Sequence, residues 1–217
     1  MRCNSSIKWI IRCTKMDGFI KFNSIFNYLL HDIIGAMYYP NYNWLSQAVS
    51  DLTATDAPSF VIASGFATVY KIFNCLCCIL LCILIKNENQ KTLRLGVYLF
   101  SIMNFISAIG YALFPLSSSG FDGTIQSIIH VYIITTLVVI LSIISLILIA
   151  IGALKEKHKV LGVLAILSLV LMFIGAVDSG IVPREYFGVI ERFSTYSAVI
   201  FTGILGIYGF KNQTNYC

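Results

Sequence analysis

Apolar residues run along this chain in six long blocks separated by short polar segments. The blocks are residues 22–39, 60–85, 95–114, 128–151, 160–177 and 193–210. A helix needs roughly 20 apolar residues to cross a hydrocarbon core of ~30 Å, and each block lies near or above that length. The second and fourth are the longest and least interrupted. The first carries His31 and Asp32 near its middle, and the sixth is short and rich in Gly and Tyr. Membrane strands would show ~10-residue segments of alternating polarity, whereas runs such as Leu137 to Ile151 do not alternate. The pattern therefore predicts an all-α fold, a polytopic integral membrane bundle of six transmembrane helices. Pro115 ends the third block, because proline cannot continue a helix. The link Lys155 to Lys159 is short enough to demand an antiparallel hairpin.

Composition sharpens this reading. The 217 residues are 58% hydrophobic and only 12% charged, with a mean hydropathy of +0.83. A soluble domain is closer to half apolar and a quarter charged, so a water-soluble globular enzyme is excluded, as is a disordered chain.

The net charge of +5 is distributed unevenly. Short cytoplasmic loops carry excess Lys and Arg. With the N-terminus inside, twelve of the fifteen basic residues fall on the inner side. They are Arg2, Lys8, Arg12, Lys15, Lys21, Lys86, Lys91, Arg94, Lys155, Lys157, Lys159 and Lys211. Only Arg184 and Arg192 fall outside, and Lys71 lies within a span. Asp51, Asp56, Asp122, Asp178, Glu185 and Glu191 all fall on the outer side. Both termini are thus expected in the cytoplasm of a microbial cell, with the protein a multi-pass component of the plasma membrane. Residues 1–21 read as a basic cytoplasmic arm that can lie on anionic headgroups, since Trp9 to Ile11 is too short for the core of a signal peptide. Residues 211–217 form a cytoplasmic tail. The cations orient the chain; no basic, aromatic-interleaved module for nucleic acid is present.

Seven cysteines are present, none in an outer segment, so no structural disulfide is expected. Cys75, Cys77, Cys78 and Cys82 share one span. Four ligands on one helix cannot close a tetrahedron, so they read as packing residues, and neither a metal nor a cofactor is expected. Asn4 and Asn212 open glycosylation sequons on the cytoplasmic side, where they stay unmodified. In the last block Ala198, Thr202, Gly203, Gly206 and Gly209 offer a small-residue face that is expected to pack within the bundle.

Two opposite charges lie inside spans. Asp32 is ~10 Å and Lys71 ~16 Å from the outer end of its helix at 1.5 Å per residue. A lone charge there costs about 2.5–3.5 kcal/mol. An Asp32–Lys71 ion pair between the first two helices, with His31 close by, offsets that cost. In the alternative, Lys71 snorkels outward and Asp32 faces a watery vestibule.

The outer ends hold the remaining chemistry. The segment Pro40-Asn41-Tyr42-Asn43-Trp44-Leu45-Ser46-Gln47-Ala48-Val49-Ser50-Asp51-Leu52 has an apolar stripe at Leu45, Val49 and Leu52. It reads as a short amphipathic helix on the membrane surface, anchored by Tyr38, Tyr39, Tyr42 and Trp44. Asp56-Ala57-Pro58 reads as the N-cap of the second span. Asp51, His130, Glu191 and Arg192, with Asp178 nearby, are placed to converge on one outward-facing mouth.

The pattern Pro40-Asn41-Tyr42, Leu45-Ser46-Gln47, Ser50-Asp51-Leu52 and Ala57-Pro58, followed by Phe114-Pro115, His130 and Glu191-Arg192, resembles the bacterial and archaeal membrane-protein family called domain of unknown function 998. Ser50-Asp51 followed by Pro58 also carries a fainter likeness to eukaryotic six-helix proteins, the damage-regulated autophagy modulators. The resemblance implies a six-helix bundle and supplies no activity.

Three functions stay open. The mouth formed by Asp51, His130, Glu191 and Arg192 would bind or transport a lipid headgroup or small polar solute, with Arg192 suited to phosphate. The same groups could instead lock the helix ends together in a structural or interaction protein without a ligand. A membrane-embedded hydrolase would use Ser50 as nucleophile, His130 as base and Asp51 as orienter, although adjacent helical residues point ~100° apart. A metal held by Asp51 and Glu191 beside His130 is a variant of that reading.

Overall fold

The computed structural model describes residues 3–177 and 182–214, with side chains for 19–176 and 182–209. Asp178 and most of the basic arm lie outside the described side chains. The described residues form helices joined by turns, with no strand among them. Six long helices are α1 (Cys3–Met37), α2 (Phe60–Ile85), α3 (Lys91–Leu113), α4 (Ile125–Lys155), α5 (Lys159–Val177) and α6 (Phe187–Thr214). Among the described residues four of them, α2 to α5, are long and apolar enough to cross a membrane. The helices α1 and α6 are equally long, but Lys21, Asn23, Asn27, His31 and Asp32 in one, and Glu191 and Arg192 in the other, lower their hydropathy.

Each helix packs on its neighbour in sequence, and α6 returns to pack on both α1 and α2, closing the bundle. The half near the short basic turns holds the apolar core, including Leu81, Leu93, Phe100, Met103, Leu146, Ile149, Phe201 and Leu205. Gly152 permits a close helix crossing there: a methyl group on it would meet the backbone of Leu93 at 2.5–2.7 Å. The last helix's glycines face inward as expected, Gly203 towards Ile25 and Gly209 towards Leu81 and Leu84. Cys75, Cys77, Cys78 and Cys82 are free thiols.

Charge separates along the axis. Lys86, Lys91, Arg94, Lys155, Lys157 and Lys159 flank the turns at one end, where Arg94 Nη1 donates to the carbonyls of Lys86 and Glu88. Three longer segments meet at the opposite, acidic end. Thr55 N donates to Leu116 O, and Val189 N donates to Leu45 O.

Two local expectations are corrected. The stretch after Pro40 forms no surface α-helix; it makes turns and then a five-residue 3₁₀ turn, Val49–Thr53. The carbonyls of Trp44 and Gln47, which a helix would use internally, accept hydrogen bonds from Arg192 instead. Asp56 does not cap α2. Its carboxylate accepts from Ser118 Oγ and Ser119 N in the next segment, and Ser59 occupies the cap position.

Candidate functional site

The charge centre of the acidic half lies where α1 meets α6. Asp32 is fully buried and Arg192 is 3% exposed. Arg192 Nε donates to Asp32 Oδ2 at 2.9 Å and Nη2 donates to Oδ1 at 2.8 Å, a bidentate pair. Tyr196 OH donates to Oδ2 at 2.7 Å and the Trp44 indole N–H donates to Oδ1 at 3.3 Å. Four donors fill the carboxylate's capacity.

The guanidinium is equally committed. Nη1 faces the carbonyls of Trp44, Gln47 and Gly188 at 2.8–3.0 Å, and Nη2 also donates to Tyr42 OH at 2.8 Å. Tyr42 OH in turn donates a hydrogen bond to Ala48 O at 2.7 Å. Arg192 lies over the rings of Trp44 at 4.3 Å and Tyr42 at 5.9 Å. All five N–H donors have acceptors.

Helix geometry assembles half of this. Gly188, Arg192 and Tyr196 are spaced by four and share one face of α6. Gly188 has no side chain to hold the incoming segment away; a Cβ there would run into the carbonyl oxygens of Gln47 and Trp44.

The expected Asp32–Lys71 pair is therefore corrected. Asp32 pairs with Arg192, because a guanidinium fork matches a carboxylate in two places and an ammonium does not. Depth along two sequence-adjacent helices favoured Lys71, but ring closure brings α6 to α1. The i, i+4 spacing of Arg192 and Tyr196 was the available signal.

The remaining rim residues are also engaged. Glu191 Oε2 accepts from Val49 N at 3.0 Å. Asp51 accepts from Ala48 N at 3.1 Å and from Gly120 N at 2.9 Å, where Gly120 adopts φ +81°. Burial pushes the Asp51 carboxyl above its usual range, and these two amides oppose the shift. Glu191 and Arg192 thus hold the backbone of the 40–59 segment from α6, and Asp51, within that segment, ties it to Gly120.

His130 serves a different element. Its Nδ1–H donates to Phe114 O at 2.7 Å, satisfying a carbonyl at the end of α3, and its ring lies 4.7 Å from Tyr111. It sits in a π-helical stretch of α4, Ile129–Thr135. That wider turn frees His130 O to accept from Thr135 Oγ1 at 2.9 Å. Such π-bulges recur at functional sites, and nothing in the polarity pattern announced this one. Among the described residues no hydrogen bond joins His130 to Ser50, Asp51 or Glu191, so the expected hydrolase trio is not assembled. No group of three potential metal ligands occurs among the described residues, so Asp51, Glu191 and His130 do not form the metal variant.

A groove of about 530 Å³ lies elsewhere, between α1 and α2. It is lined by Asn27, Ile34, Tyr38, Val61, Ile62, Gly65, Phe66 and Val69. A methyl group added to Gly65 would meet nothing within 4 Å.

No curated protein and no solved structure matches the chain. The profile of one family does match, across residues 24–208. With its helical architecture and apolar helices in view, the chain belongs to the family described as protein of unknown function, DUF998.

Proposed function

We propose that this chain is a six-span plasma-membrane protein, both termini cytoplasmic, that holds a lipid in the groove between α1 and α2. One observation carries the reading: the groove lies between two helices and is lined mostly by apolar side chains, the surface that acyl chains would cover in a bilayer. It is a shallow, open groove of about 530 Å³. Its lining is mostly apolar, and Tyr38, 56% exposed at the outer end of α1, supplies a polar tip at headgroup level. Arg192 supports a water-facing headgroup site less well, because all five of its N–H donors are taken up by the protein. The basic turns at one end support the proposed orientation.

Purification in mild detergent followed by native mass spectrometry tests the proposal. Wild-type protein is expected to carry phospholipid, and Gly65→Phe, which fills open space, is expected to lose most of it while keeping its thermal stability. Equal lipid content in the two proteins rejects the groove.

The second reading is a structural or interaction protein without a ligand. The saturated Asp32–Arg192 network favours it. Lipid-free wild-type protein of full stability is the outcome that selects it.

A further inference from the structure

The groove between α1 and α2 carries one polar group that its apolar lining does not explain. Asn27 is the only amide side chain in its wall. It lies ten residues from the end of α1 at Met37, ~15 Å along the axis at 1.5 Å per residue. Val69, on the facing wall, lies nine residues from the start of α2 at Phe60, so the two stand at matching depth. A hydrocarbon core is ~30 Å thick, which puts Asn27 near the middle of the bilayer in the six-span arrangement proposed above. Tyr38 lines the same groove at the acidic end of the bundle.

The fold does not use up this amide. Asn27 Nδ2 donates to Asn23 O at 2.8 Å, one turn back on its own helix. That bond orients the amide and joins it to no other element. Among the described residues, Asn27 Oδ1 accepts no hydrogen bond. The side chain is only 9% exposed, yet Oδ1, unlike the sealed Asn74 Oδ1 and Ser101 Oγ, retains access to the groove.

Acyl chains offer no donor, and an amide oxygen left unpaired among them costs free energy. The occupant of the groove can supply one. An ester or ketone accepts but cannot donate, and an ammonium brings a charge that is expensive at this depth. A hydroxyl donates without charge.

We propose that the groove takes a hydroxylated acyl chain, its head level with Tyr38 and its chain hydroxyl donating to Asn27 Oδ1. This rests on the lipid reading above and names the class of lipid. One chain spans one leaflet, about half of the ~30 Å core, so Asn27 meets the distal part of a chain anchored at Tyr38.

The test uses the full chain in phosphatidylcholine nanodiscs, with binding to empty nanodiscs subtracted. Three radiolabelled probes are titrated: stearate, 2-hydroxystearate with its hydroxyl beside the head, and 12-hydroxystearate with its hydroxyl about two thirds of the way down the chain. Wild-type protein is expected to bind 12-hydroxystearate about fivefold more tightly than the other two, the worth of one net hydrogen bond. Asn27→Leu is expected to abolish that preference while binding stearate like wild type, which also shows that the variant is folded. Gly65→Phe is expected to lose all three probes. Equal wild-type affinities, with binding still lost in Gly65→Phe, overturn the hydroxyl assignment and leave the groove standing. A preference that survives Asn27→Leu overturns it as well, as does an Asn27→Leu change in oligomeric state without any probe preference, which would give Asn27 to a partner helix. Unchanged binding in Gly65→Phe, or no saturable binding of any probe, rejects the groove and this inference together.

Discussion

At the scale of single residues, the Asp32–Arg192 pair dominates the acidic half of the bundle. Both groups are buried, so each is costly without the other. Arg192→Leu or Asp32→Asn should each destabilise the protein by about 3–5 kcal/mol. The double variant should cost clearly less than their sum, and unfolding in detergent measures the cycle. Arg192→Lys should rescue little, since an ammonium has three donors where five are used. Lys71→Met and Asp32→Asn should combine additively to within about 0.5 kcal/mol, as independent sites do. A large coupling between those two would mean that Lys71, not Arg192, is the partner of Asp32.

Among the elements, the 40–59 segment behaves as a latch across α1 and α6. Arg192 ties down its carbonyls, Glu191 ties down the Val49 amide, and Asp51 connects it to Gly120. Gly188 is the floor on which it rests. Gly188→Ala should cost about 1–3 kcal/mol through overpacking and should increase protease cleavage within residues 40–59. The π-helical turn of α4 does comparable work for α3 by aiming His130 at Phe114 O. His130→Phe keeps the ring against Tyr111 but leaves that carbonyl unpaired, with an expected loss of about 1–3 kcal/mol. Thermal unfolding compares both variants with wild type.

For the whole molecule, charge segregation predicts topology. A cysteine at Ser118 should react with an impermeant maleimide in intact cells, while one at Lys155 should react only after permeabilisation. The reverse result would invert the bundle. Helical class followed from sequence, because the hydrophobic effect acts on local runs of apolar side chains and needs no knowledge of partners; the start of α1 at Cys3, within the stretch read as a separate basic arm, did not. The family resemblance was equally legible, since its motif is contiguous around Ser50-Asp51. Asp32 and Arg192 were each recognisable as exceptional, but their union was not. They are separated by 160 positions, and a bidentate ion pair depends on which helices become neighbours when the bundle closes. The same applies to the latch. The periodicity of Leu45, Val49 and Leu52 suited a surface helix, and only packing against α6 decided that its carbonyls would serve Arg192. Local hydropathy determined which helices are apolar enough to cross a membrane, whereas contacts between distant segments decided which polar groups satisfy one another.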